Sequence, residues 1–143
     1  MNCISTTGRS PMWAALAAAR RRGAWTAFLV ANTLDGDSHD VADHVVDYAV
    51  RLVRKTRPGS PDAPEDITRM LNWGAGPRAS QCLILGAKAR AVLEGRIHVS
   101  CNDIRRAAVP VLRHRIITSY EAEAENINSD HIIRRILDHT DVP

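Results

Sequence analysis

The sequence predicts an all-α protein, a small helical bundle, and three observations point to that fold class. Aromatic residues make up only 4% of the 143 residues, so the core has to be built from Ala, Val, Leu and Ile. From residue 38 onward, apolar residues recur at intervals of three and four, which is the spacing of one helix face. Prolines and glycines separate these periodic stretches and mark the turns between helices.

Composition and charge exclude several functional classes. The chain has 19 Lys and Arg residues against 16 Asp and Glu, and the net charge of +3 is too small to indicate nucleic-acid binding. The three cysteines, Cys3, Cys82 and Cys101, contain no Cys-x-x-Cys pair, so neither a disulfide framework nor a zinc site is predicted. We expect a cytoplasmic protein that binds neither nucleic acid nor membranes.

Residues 1–37 are an unassigned leader without a persistent helical period. Its two apolar runs, Met12–Ala19 and Gly23–Ala31, are far shorter than the ~20 residues that span a bilayer. Three arginines at positions 20–22 precede the second run, as in an export signal, but no convincing small-residue cleavage site accompanies them. We interpret the leader as a poorly ordered segment or as the product of a truncated or frameshifted gene.

The first regular helix is predicted to begin near residue 38, where Ser38 or Asp40 can act as its cap. The apolar positions on its buried face are Val41, Val45, Tyr48 and Leu52. Prolines and a glycine in residues 58–64 end it and form a stiff loop. Pro64 then starts a short helix that is expected to run to Trp73.

The most informative stretch is the Gly-Ala-Gly-Pro-Arg run at residues 74–78. Its glycines permit a tight turn, and Pro77 suits the first position of a helix. That helix is apolar over most of residues 82–93 and stops at Gly95, which indicates burial on most sides. Arg78 is therefore predicted to project from the first turn of a firmly anchored helix.

Another helix is predicted after a short extended piece at residues 97–99. Ser100 can cap it, with Asp103 at the position that completes a capping box. Pro110 then starts or kinks a last core helix that is expected to reach Ile117.

The C-terminal part, residues 118–143, is assigned to a connector and a final helix. The connector is the polar run at residues 121–125, and Ser129 is the expected cap of the helix. Its apolar positions are Ile132, Ile133, Ile136 and Leu137. Residues 38–117 are assigned to the helical domain that precedes this part.

Several motifs, in order and at consistent spacing, resemble the lid domain of MoxR-family AAA+ ATPases. They are Asp47–Arg54, Thr56–Pro58, Trp73–Gln81, Gly86–Ala91, Leu93–Arg96 and Val109–Ile116. The resemblance covers roughly residues 38–140. It implies a helical lid that follows an α/β nucleotide-binding core, closes over ATP and magnesium, and works in a ring-forming homo-oligomer.

The catalytic motifs of that family are not found in these 143 residues. There is no Gly-x-x-x-x-Gly-Lys-Ser/Thr loop (Walker A) and no apolar strand that ends in paired acidic residues (Walker B). The sequence therefore predicts a C-terminal lid fragment that holds neither ATP nor magnesium alone and hydrolyses no ATP alone. With its core it would contribute ATP sensing and lid closure to a chaperone-like remodeller. The alternative is a free-standing helical interaction module with no nucleotide role.

Within the resemblance, Arg78 matches the nucleotide-binding arginine called sensor 2, and Gly76, Pro77 and Ala79 shape its turn. A guanidinium stays charged and can donate two hydrogen bonds to phosphate oxygens. The N-terminus of a helix adds amide donors and the positive end of the dipole. The alternative is that Arg78 only covers exposed backbone or pairs with a carboxylate.

Other candidate residues are weaker. Gln81 and Lys88 share one helical face and could approach nucleotide or a neighbouring subunit, or could form a solvated stripe. A set of arginines could bind a polyanion, face an adjacent subunit or be ordinary helix-surface charge: Arg105, Arg106, Arg113 and Arg115. The six histidines show no ligand-type clustering, so no metal site is predicted, and no residue is assigned a catalytic role.

Overall fold

A computed structural model of the protein describes residues 41–143. This part of the chain contains six helices and two short strands. In order they are α1 (Asp43–Lys55), α2 (Glu65–Met70), β1 (Leu71–Trp73), α3 (Arg78–Leu93), α4 (Cys101–Leu112), β2 (Ile117–Thr118), α5 (Tyr120–Ala124) and α6 (Ser129–Asp138). The all-α prediction is confirmed. The leader of residues 1–37 and the expected caps Ser38 and Asp40 lie outside the described residues, and the residue that precedes α1 is Ala42.

The core lies where α1, α3, α4 and α6 meet. Their largest completely buried side chains are Tyr48, Leu52, Leu83, Ile104, Leu112, Ile132, Ile133 and Ile136. Val45, Tyr48 and Leu52 of the predicted face are buried in α1, whereas Val41 precedes the helix and is only partly buried. Since α6 supplies three of these side chains, the bundle and its C-terminal extension share one core.

Helix α3 is the most enclosed element of the described chain. Every residue from Cys82 to Leu93 is buried or half-buried, as the apolar sequence predicts. The helix ends where predicted, because Gly95 adopts a φ of 73°. The Arg96 amide then reaches back to the Ala91 carbonyl at 2.8 Å, which closes the end of the helix in a Schellman motif.

Helix α4 begins with the predicted capping box. The Ser100 amide and the Asp103 carboxylate are 2.9 Å apart, and the Ser100 oxygen caps the first turn. The expectation that a helix beginning or kinking at Pro110 reaches Ile117 is wrong. Pro110 lies inside α4, which ends at Leu112, because Ile117 belongs to a strand.

The two strands correct a second expectation. The helix that starts after Pro64 ends at Met70 and does not reach Trp73. Its continuation is β1, which pairs antiparallel with β2 in the register Leu71 with Thr118 and Trp73 with Ile117. The Ser119 amide, which follows β2, also donates to the Met70 carbonyl at 2.9 Å. This carbonyl is thus bonded to a distant segment and not to the next turn of a longer helix.

The connector and the last helix differ in detail from the prediction. The polar run forms the short helix α5, whose Ala122 amide bonds to the Ser119 side chain at 3.3 Å. The cap of α6 is Asn128, whose side-chain oxygen accepts from the His131 amide at 3.0 Å, and Ser129 is the first helical residue. No helix within residues 41–143 is long and apolar enough to cross a membrane.

Candidate functional site

The candidate site is the turn that starts α3. Pro77 is the residue that precedes the helix, and Arg78 is its first helical residue. The Ala79 amide donates to the Gly76 carbonyl at 2.9 Å, and the Ser80 amide donates to the Pro77 carbonyl at 3.1 Å. Ala79 is buried whereas Arg78 is exposed, so the first turn is fixed through one side chain and displays the other.

The charge of Arg78 is unfavourable for the helix that carries it. A cation in the first turn opposes the helix dipole, and this turn contains neither an acidic residue nor a side-chain cap. Among residues 41–143, no carboxylate pairs with Arg78 and no group forms a hydrogen bond with its side chain. Within this part of the chain, the alternative role as the partner of a carboxylate therefore has no support.

The turn is tied to the two residues that follow α1, Thr56 and Arg57, which the sequence analysis named only as part of the Thr56–Pro58 motif and without a structural role. The Thr56 hydroxyl accepts a hydrogen bond from the Ala75 amide at 2.9 Å. The Arg57 Nε donates to the Ala75 carbonyl at 3.2 Å. Both backbone polar groups of Ala75, three residues before Arg78, are thus satisfied by the two residues that follow α1. The Thr-Arg pair was visible in the sequence, but its partner lies 18 to 19 residues away.

Trp73 and Ile117 form an exposed apolar pair beside this turn. They face each other across the two strands, with 70% of Trp73 and 60% of Ile117 accessible to solvent. Trp73 also lines a shallow depression of about 420 Å³, whose other walls are Arg57, Pro58, Asn72, Gly74, Ala75, Gly76 and Pro77. A large apolar side chain is therefore displayed next to the start of α3.

The weaker candidates lie on the same helix at different distances from Arg78. Gln81 is exposed and lies about one turn further along the helix. Lys88 is half-buried and lies ten residues beyond Arg78, roughly 15 Å along the helix axis. Gln81 therefore lies nearer to Arg78 than Lys88 does.

The four arginines of the predicted basic set all form contacts within the bundle. Arg105 donates to the Leu137 carbonyl at 2.8 Å, Arg106 approaches Glu94 at 3.4 Å, and Arg113 holds Asp130 through two hydrogen bonds of 3.0 and 2.6 Å. Arg115 lies 3.3 Å from the Cys82 sulfur. These contacts favour the interpretation that the set is ordinary helix charge.

The described cysteines and acidic residues suggest no further chemistry. Cys101 is buried, and burial raises the pKa of its thiol, which disfavours the nucleophilic thiolate. Among residues 41–143, no group of three or more His, Cys, Asp or Glu side chains is placed to hold a metal ion. If magnesium takes part in the function, its ligands are not a cluster in this part of the chain.

Comparison with known proteins identifies the fold. Residues 63–136 match the AAA lid domain family. The chain is similar to Chaperone MoxR1 of Mycobacterium tuberculosis (strain ATCC 25618 / H37Rv), with 35% identity over 99 residues, 69% of this chain and 26% of that protein. It is also similar to Protein MoxR of Paracoccus denitrificans, with 42% identity over 62 residues, 42% of this chain and 18% of that protein.

A solved structure agrees with these relatives. The crystal structure of a proposed ATPase from Cytophaga hutchinsonii ATCC 33406 superimposes with a TM-score of 0.69 at 34% identity, over 75% of this chain and 32% of that one. The chain thus spans less than a third of the length of each of these proteins. Because the family match takes in more than half of the 143 residues, the chain belongs to the AAA lid domain family, as a lid of the MoxR type.

Proposed function

We propose that this chain is the nucleotide-sensing lid of a MoxR-type AAA+ ATPase and that Arg78 is its contact with ATP. The observation that carries the proposal is the placement of Arg78. This arginine is exposed at the positive end of a buried helix, and no described carboxylate pairs with it. A phosphate group would compensate both the guanidinium charge and the helix dipole.

The anchoring of α3 explains how such a contact would move the lid. Because the helix is enclosed from Cys82 to Leu93, a displacement of Arg78 is transmitted to the whole bundle. Gain or loss of a phosphate contact at the first turn would then rotate the lid as a body. The ATP-binding loop and the magnesium ligands would come from a nucleotide-binding core, with which this chain closes around ATP.

The relatives indicate the setting in which this lid would act. MoxR1 is named a chaperone, and a lid of the same type would serve an ATP-driven remodeller of other proteins. We propose a cytoplasmic assembly in which several copies of core and lid form a ring. The client protein of that assembly is a question for experiment.

The test combines the full chain with a MoxR-type nucleotide-binding core, either fused upstream or added as a separate chain. ATP hydrolysis is measured with magnesium present, and the chain alone serves as the blank. Arg78→Ala should slow hydrolysis about ten- to hundredfold, since a charge-assisted phosphate contact contributes about 1.5–3 kcal/mol. The melting temperature should barely change, because Arg78 is exposed and its side chain forms no hydrogen bond or ion pair with the described residues.

A matched control is available in α6. Arg134 is exposed like Arg78 and forms no hydrogen bond or ion pair with the described residues, so Arg134→Ala should leave hydrolysis unchanged. Equal losses for both variants would contradict the proposal. So would a loss of stability that accounts for the whole defect of Arg78→Ala.

The exposed pair Trp73 and Ile117 supports a second candidate function. Large apolar side chains that are more than half exposed are common where a partner docks, so the bundle could serve as an interaction module without nucleotide. The same experiment separates the two functions. An interaction module predicts that Arg78→Ala has no effect on ATP hydrolysis by the combined core and lid.

A further inference from the structure

We infer that Thr56 is a positioning residue for Arg78, because its buried hydroxyl fixes the turn from which that arginine projects. This inference rests on the proposed function, in which Arg78 contacts ATP. Thr56 is the residue that follows the last turn of α1, and it is completely buried. Its hydroxyl forms no hydrogen bond with Arg78, so its effect on Arg78 would pass through the backbone of Ala75.

The Thr56 hydroxyl acts both as a hydrogen-bond donor and as a hydrogen-bond acceptor. It donates to the Val53 carbonyl at 2.7 Å, within the last turn of α1, and accepts from the Ala75 amide at 2.9 Å. The first bond orients the hydroxyl, so its lone pair points at the turn. A buried hydroxyl with both roles satisfied gives a defined geometry, because any other rotamer would leave a polar group without a partner.

The two residues between Ala75 and the helix are bonded to its first turn, since their carbonyls accept hydrogen bonds from the Ala79 and Ser80 amides. Gly76 and Pro77 are exposed, and a β-carbon placed on Gly76 would meet no atom within 4 Å. Ala75, in contrast, is 1% exposed and bonded through both its amide and its carbonyl. Ala75 is therefore the last residue before Arg78 that the described structure bonds to a segment outside α3, and the Thr56 hydroxyl accepts the hydrogen bond from its amide.

The shape of the buried space alone does not require a hydroxyl here, although loss of the hydrogen bond also lowers stability. Valine has nearly the same shape and would fill the same buried space, but it would leave the Ala75 amide without an acceptor. The specific contribution of the threonine hydroxyl is thus to fix the orientation of the Ala75 peptide, and with it the path of the turn. Thr56→Ser keeps that contribution, whereas Thr56→Val removes it.

Amide hydrogen exchange on the full chain tests the geometric part. Thr56→Val should make the Ala75 amide exchange about three- to tenfold faster, as expected for loss of one hydrogen bond, and Thr56→Ser should restore protection. Thr140→Val is the matched control. Thr140 is also buried near a helix end and donates to the Ile136 carbonyl at 2.6 Å, but its hydroxyl holds no other segment of the described chain.

ATP hydrolysis by the chain combined with its core tests the functional part. Thr56→Val should lower hydrolysis about three- to tenfold and Thr56→Ser should not. The double variant Thr56→Val, Arg78→Ala should hydrolyse ATP no more slowly than Arg78→Ala alone. Both substitutions remove the same contact between Arg78 and phosphate, one by displacing the arginine and the other by deleting it. Thr140→Val should lower the melting temperature about as much as Thr56→Val does, but it should leave the rate of ATP hydrolysis unchanged.

The outcomes separate this inference from the proposed function. If Arg78→Ala slows ATP hydrolysis and Thr56→Val does not, Thr56 has only a structural role while the proposed function stands. The same conclusion follows if the double variant slows hydrolysis by the product of the two single effects. Unchanged exchange of the Ala75 amide in Thr56→Val also overturns the inference. If Arg78→Ala itself is neutral, the proposed function fails and the inference fails with it.

Discussion

At the scale of single residues, the turn before α3 depends on one glycine and not on its neighbour. A β-carbon on Gly74 would overlap the Thr56 carbonyl oxygen and lie 2.7 Å from the Arg57 Cα, which are both backbone atoms that cannot move aside. Gly76 faces open space and does not have a positive φ. The close approach of two backbones, rather than turn flexibility, is therefore the reason for glycine at position 74.

This difference predicts opposite results for two alanine substitutions. Gly74→Ala should lower the free energy of unfolding by about 1–3 kcal/mol, the range found for overpacked sites. Gly76→Ala should be neutral or stabilise by a few tenths up to about 1 kcal/mol, because it restricts the unfolded chain without straining the fold. Urea unfolding of the two variants checks this pair. Equal losses would show that the turn needs the conformational freedom of both glycines.

The candidate residues differ in how far sequence could point to them. Arg78 became a candidate because its Gly-Pro-Arg run lies among several ordered motifs that resemble the MoxR-type lid. Thr56 and Gly74 stood in the sequence only as members of longer motifs, and their specific roles were not predicted, since these depend on a contact between residues 18 apart. The hydrogen bonds to the amide and the carbonyl of Ala75 leave no trace in the amino-acid composition or in the spacing of apolar residues.

At the scale of elements, the end of α3 and the start of α4 are joined by charged hydrogen bonds. Arg96 donates to the two Asp103 carboxylate oxygens at 2.9 and 2.6 Å and to Glu94 at 2.7 Å. Burial would raise the pKa of Asp103, but the hydrogen bonds from Arg96 and Ser100 outweigh it and hold that pKa at about 2. The same carboxylate thus caps one helix and binds the residue that follows the other.

This lowered pKa predicts a specific loss of stability in acid. The unfolded chain binds a proton at Asp103 near the ordinary value of 3.8, before the folded chain does. The contribution of Asp103 is therefore complete above about pH 4 and is lost as the pH falls towards 2. Asp103→Asn should cost about 2 kcal/mol at pH 7 and should remove this part of the pH dependence.

Urea unfolding between pH 2 and pH 7 measures the effect, with Asp62→Asn as the control. Asp62 pairs with Arg54 at 2.9 Å, but both side chains are largely exposed, so this variant should lose less than ~1 kcal/mol. If the free energy of unfolding falls by the same amount below pH 4 in Asp103→Asn and in the natural chain, the ionised Asp103 carboxylate does not stabilise the fold as its hydrogen bonds indicate.

The helices were more predictable than the strands for a physical reason. The bounds of α3 follow from Pro77 and Gly95, and the start of α4 follows from Ser100, all of which act on neighbouring residues. The strands depend on the pairing of Trp73 with Ile117, 44 residues apart in the chain. A short apolar run gives no period by which to distinguish such a strand from the end of a helix.

At the scale of the whole molecule, the last helix completes the core. Ile132, Ile133 and Ile136 are all fully buried, and α6 contacts both α1 and α4. The carbonyl groups at its end accept hydrogen bonds from Lys55 of α1 and Arg105 of α4. The bundle is therefore closed by its C-terminal residues.

Removal of residues 126–143 should accordingly abolish cooperative unfolding. The variant would lose the four buried side chains of α6, Ile132, Ile133, Ile136 and Leu137, and would expose the apolar faces against which they pack. Thermal unfolding followed by circular dichroism checks this. Removal of residues 141–143, which are exposed, should leave the melting temperature unchanged. A sharp transition in the longer truncation would show that α6 is dispensable for the core.

The hydrogen bond between Lys55 and His139 joins residues 84 positions apart, which has a consequence for synthesis of the chain. At about 5–20 residues per second, a ribosome needs roughly 4–17 seconds to travel from one to the other. Helices α3 and α4 can pair well before that time, since a short link joins them. Helix α1 emerges first among the described helices and waits longest for its last neighbour, so its apolar face is a natural target for nascent-chain binding factors.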